Sequence, residues 1–202
     1  MRAPLFSLAM SFFVAPAAAI AEPTIPQLLA GAVEIPLQSV VNKIADFAGD
    51  GREALVISSW RENGNAHSYN LYLVLIDGNV VGVDHEDRFA DFITDNPHTG
   101  EDIVTAVRFL RVLLNGHRQT VLVEATRHWS ETISAPAPTS IELFALKKSD
   151  GDIGETTDYF ARIAVLQTRV QYCNADMALK QEAGLPLPSD YPGPGTPTGC
   201  PS

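Results

Sequence analysis

Arg61, Glu62, Asn63, Asn65 and His67 fall within seven consecutive residues. A guanidinium can pair a carboxylate bidentately. The two amides and the imidazole can add oriented hydrogen bonds to a small anion. Glu62, or the more distant Glu101, can hold Arg61 in place. The opposing reading is a solvated hairpin tip whose polar groups satisfy one another. Glu101 and Asp102 are adjacent carboxylates and join the candidate ligand-binding set. On a strand they face opposite sides, which argues against a paired acid/base role.

No catalytic residue is expected. The chain has no G-x-S-x-G, no S-x-x-K of the serine β-lactamase type and no H-x-H-x-D. Metal chemistry has three candidate loops. In the segment from Asp46 to Ala54, a turn resembling a calcium loop of β-repeat modules places Asp46, Ala48, Asp50, Arg52 and Ala54 at the alternate positions. Calcium needs six to eight oxygens, and two of those positions are alanine, so the turn is kept and the cage is not. The loop from Asp150 to Asp158 is a second carboxylate cluster. Asp84-His85-Glu86-Asp87, with His98 downstream, is zinc-competent in donor type but matches no known ligand spacing, and a solvated acidic loop is the favoured reading. No metal and no cofactor is assigned from these loops.

The elements that must position these residues read mainly as strands. The apolar runs 54–60 and 67–76 flank Asn63-Gly64, a two-residue type I′ turn signal. A first strand is expected over 37–44, a short one over 79–83 after the Asp77-Gly78 turn, and a hairpin of 103–114 with 119–126 across Asn115-Gly116. The polar stretch 84–100 is long for a loop and is expected either to be functional or to carry a helical turn around 89–93. Strands over 140–147 and 159–172 form a third hairpin. Asn174 is an N-cap for a helix over 175–183, with Gly184 as its stop. The fold class is mainly β: an antiparallel β-sandwich-like single domain with one or two short helices.

Arg2, an apolar run over 5–19 and Ala19-Ile20-Ala21 before Glu22 form a secretory signal peptide, residues 1–21. The run is too short for a membrane span and Pro16 interrupts it. Removing 21 of 202 residues leaves 181, enough for one core: a β-rich domain over 22–184 and a Pro/Gly-rich tail over 185–202. Export to the periplasm or outside the cell is expected, with no membrane span. A formal net charge of −10 disfavours nucleic acid. In an exported chain the two cysteines, Cys173 and Cys200, are expected to form a disulfide.

The order of several short pieces resembles the CarG-type carbapenem self-resistance family. The pieces are Gly49-Asp50-Gly51, Arg61 to Ser68 (RENGNAHS), Thr99-Gly100-Glu101-Asp102, Val107-Arg108-Phe109, Ala125-Thr126-Arg127 and Tyr172-Cys173-Asn174-Ala175-Asp176. The resemblance covers residues 38–180. It implies an exported β-rich homodimer that protects a cell from a simple carbapenem by binding and not by hydrolysis. Ala48, Ala54 and the proline-rich tail depart from the pattern. The alternatives are a structural or adhesion-like β module with degenerate calcium loops, and an unrecognised hydrolase.

Overall fold

The computed structural model describes residues 23–38, 40–62, 68–96, 103–129, 132–151 and 156–201. Among these residues, twelve strands form two sheets, accompanied by two helices. In chain order they are α1 (Ile25–Leu28), β1 (Val33–Glu34), β2 (Val40–Ile44), β3 (Ala54–Arg61), β4 (Tyr69–Ile76), β5 (Asn79–Val80), β6 (Gly82–Asp84), β7 (Phe89–Ala90), β8 (Ile93–Thr94), β9 (Thr105–Leu114), β10 (His117–Arg127), β11 (Thr139–Lys148), β12 (Asp158–Gln167) and α2 (Ala175–Ala183). The larger sheet runs β1-β9-β10-β11-β12-β6-β7; the smaller runs β2-β3-β4-β5, with β8 also on β4.

Period-two burial follows from the pleat. On β10, Val121, Val123 and Ala125 face a core shared with Met177, Ala178 and Leu179 of α2 and Ile25 of α1. Leu122, on the other face, joins Phe109, Phe144 and Phe160 against Val56, Val74 and Ile76 of the smaller sheet. The large sheet therefore has helices on one side and the small sheet on the other: a mainly β sandwich in one domain.

Two hairpins close as their turn dipeptides require. Asp77-Gly78 and Asn115-Gly116 have φ of 52°/79° and 52°/80°, and join Ile76 to Asn79 and Leu114 to His117. The β3–β4 ladder runs from Ala54 with Ile76 to Arg61 with Tyr69. The expected Asn63-Gly64 turn lies outside the described residues.

Other expectations need correction. The first strand of the hairpin sheet starts at Val40, not at 37. The expected strand over 79–83 is two strands in different sheets. β5 pairs β4, Val81 is buried and donates to Val74 O (2.9 Å), and β6 pairs β12 in parallel. That crossing stitches the sheets together, and β6–β12 is the one parallel pair among the described strands. The expected helical turn around 89–93 is instead the short strands β7 and β8. α2 forms as expected: the Asn174 side chain accepts from the Asp176 N–H (2.9 Å), and Gly184 ends the helix at φ 73°.

Cys173 and Cys200 are disulfide-bonded. The tail they close packs Leu187 and Tyr191 on the helix-side core. Among the described residues no helix is long and apolar enough to cross a membrane.

Candidate functional site

Arg61 ends β3 and is exposed, as is Glu62. Across the strand pair stands Tyr69, a buried residue on the same outward face. Arg61 Nη1 donates to the Tyr69 hydroxyl at 2.8 Å, and the guanidinium carbon lies 5.6 Å from the Tyr69 ring centroid. The tyrosine, and not Glu62, holds the arginine. No carboxylate among the described residues lies within ion-pair distance of Arg61. The guanidinium is thus a cation positioned by Tyr69, with no other hydrogen bond among the described residues. Asn63, Asn65, His67, Glu101 and Asp102 lie outside the described residues, so of the expected constellation only Arg61 and Glu62 are placed.

Strand alternation sends Trp60, next to Arg61, to the opposite face. There it lines a cleft of about 800 Å³ with Asn70 and Tyr72 of β4, Arg108 of β9 and Tyr191 of the tail. Trp60 is 52% exposed. Buried Asp95 takes the Asn70 backbone N–H at 2.6 Å and its side-chain amide at 2.7 Å. Burial, then the charge of Asp95, pushes the Tyr72 phenol above its ordinary range, so it remains an O–H donor at neutral pH. Arg108 is neutralised by Asp176, with Glu34 at 3.4 Å. Among the described residues, Glu34, Asp95, Asp176 and Asp190 line the cleft with one arginine, a balance that favours cationic or neutral polar molecules over anions. Sequence reading missed this cleft. Trp60 beside a polar segment was the available signal; Asp95 and Asp176 gave none, because their neighbours there come from distant strands.

The turn around Gly49 is structural. A Cβ on Gly49 would lie 2.4 Å from Arg118 O, and its φ is 76°. Asp46 Oδ1 accepts the Gly51 N–H at 2.8 Å, and Asp50 accepts the Arg52 backbone N–H (3.1 Å) and Nε (2.6 Å). Burial opposes the charge on Asp50, but these bonds and the Arg52 charge hold its pKa below the ordinary value. Arg52 also grips buried Asp158 with two 2.8 Å bonds. Other motifs that carry the resemblance are pins as well. Arg108 joins Asp176. Arg127, fully buried, donates to the carbonyls of Tyr172 (2.9 Å), Ile133 (2.8 Å) and Ala135 (2.7 Å). Of the loop 150–158, residues 152–155 lie outside the described residues, as does His98.

These features define a class first: a two-sheet β sandwich with helices on one side, an arginine at the end of β3 and an acidic cleft behind it. No family model matches the chain, and no curated protein does. Among solved structures it is similar to a crystal structure of CarG, with a TM-score of 0.59 and 20% identity, over 74% of this chain and 94% of that one. At that identity the likeness establishes a CarG-like fold and nothing about chemistry.

Proposed function

We propose that this chain is an exported, non-enzymatic binding protein that protects its cell by holding a small anionic ligand of the carbapenem kind at Arg61. The observation that carries the reading is the Arg61 guanidinium, fixed on Tyr69 and opposed by no described carboxylate. The CarG-like fold and the order of the sequence pieces support it. The Cys173–Cys200 disulfide suits an oxidising compartment. In this reading the chain works as a homodimer. The outer face of the smaller sheet, with half-buried Leu55, Ile57, Leu71 and Leu73 and exposed Val41, is apolar enough to be covered.

The test is incubation with a simple carbapenem, following melting temperature and the absorbance of the intact ring. Stabilisation with the ring intact is expected. Ring opening at a rate set by protein concentration would make the chain a hydrolase and defeat the proposal. A second reading rests on the four cleft carboxylates: a cationic or neutral polar ligand bound behind Trp60. Stabilisation by a small organic cation, absent with carbapenem and lost in Trp60→Ala, would select it.

A further inference from the structure

Glu124 of β10 and Glu142 of β11 are direct cross-strand partners. Alternation places them on the face of Leu122 and Phe144, toward the smaller sheet. His85, the residue after β6, brings Nδ1 to 3.7 Å from Glu124 Oε2. One ligand atom from each of the three residues lies within 4.8 Å of the other two.

We propose that His85, Glu124 and Glu142 form a binding site for one divalent first-row metal ion of the zinc type. An imidazole nitrogen and two carboxylate oxygens make a three-ligand set that leaves coordination positions open. Like charges placed directly opposite across a strand pair repel one another unless a cation lies between them. The Glu124 side chain is only 12% exposed, and among the described residues its carboxylate accepts no hydrogen bond. A carboxylate so little exposed and without a protein donor is costly. The fully buried carboxylates described above all have donors: Asp158 from Arg52, Asp95 from Asn70 and Asp176 from Arg108.

The surroundings suit ligation. Arg162 takes Oε1 of Glu142 and also pairs Glu86, which orients the Glu142 carboxylate beside the site. The His85 backbone is fixed by its N–H on Arg88 O (3.0 Å) and its carbonyl on the Asp87 N–H (2.8 Å). Its ring meets Phe144 edge-on, with centroids 5.3 Å apart. The loop from Asp84 to Asp87, which the spacing of its own residues assigns to solvent, thus acquires its partners from two strands far along the chain.

The test uses the full chain, stripped with chelator and titrated with zinc chloride by calorimetry and native mass spectrometry. One zinc per chain is expected. Glu124→Gln and His85→Asn should each weaken it by at least about 100-fold, beyond the range seen on losing outer-shell partners. Asp150→Asn, in the other acidic loop, should leave it unchanged. Far-UV circular dichroism of the metal-free variants confirms folding, and either ligand variant alone suffices if the other fails to fold. No zinc binding, calcium binding without zinc, unchanged affinity in a folded ligand variant, or loss in Asp150→Asn would each overturn the site.

Discussion

The ion group at Arg52 and the carboxylate pair at Glu124 are both drawn from distant parts of the chain, yet they are finished to different degrees. Arg52 spends its fork on Asp158, turns Nε to Asp50 and lies 3.5 Å from Asp77. Glu124 has a like-charged neighbour, an imidazole at 3.7 Å and no hydrogen bond among the described residues. A satisfied buried ion group holds a fold together; an unsatisfied one costs stability that function can justify. Arg61 is a third case, a surface charge that Tyr69 holds among the described residues.

The comparison breaks first at Arg52. Arg52→Ala strands the Asp158 carboxylate, whose side chain is 6% exposed, and should cost about 3–5 kcal/mol in urea unfolding. A loss below about 1 kcal/mol would show that the pair is no lock. Next comes the covalent closure of the tail. The double replacement of Cys173 and Cys200 by Ser should cost about 2–4 kcal/mol, because the bridge spans a sequence separation of 27. Melting with and without reductant should reproduce that difference in the native chain.

Glu124 should behave oppositely. Burial, then the Glu142 charge, pushes its pKa up to about 7 from an ordinary 4.5, with Arg88 opposing. Between those values the folded protein keeps a proton that the unfolded chain has lost. Stability therefore falls as pH rises through this window and levels off above about 7. The cost is on the order of 3 kcal/mol at most. In metal-free protein, Glu124→Gln should match wild type near pH 4 and be more stable at pH 8, read from urea midpoints at both. An equal difference at the two pH values would remove the carboxylate as the cause. The smallest effect belongs to Arg61→Ala, no more than about 1 kcal/mol for the lost Tyr69 bond.

How far each region was legible follows from the range of its interactions. Asp77-Gly78, Asn115-Gly116 and the Asn174–Gly184 helix are read from neighbours along the chain, and they form as read. The sheet crossing at Val81 looks like one strand locally, because alternation continues through it while the pairing partner changes. Glu124 sits in a Val-Leu-Val-Glu-Ala-Thr run where a lone acid reads as solvent-facing. Only the β10–β11 register and the parallel β6–β12 pair bring Glu142 and His85 to it. Arg61 was visible by its polar company, but its holder was not, since Tyr69 reads as any strand aromatic.

The central claim, that Arg61 is kept for a ligand, is tested most directly by calorimetric titration of a simple carbapenem into wild type and Arg61→Ala of equal melting temperature. Binding to wild type, weakened roughly 10- to 100-fold in the variant, is predicted for the loss of a charge-assisted contact of about 1.5–3 kcal/mol. Equal affinity in the two proteins, or no binding to either, would contradict the account.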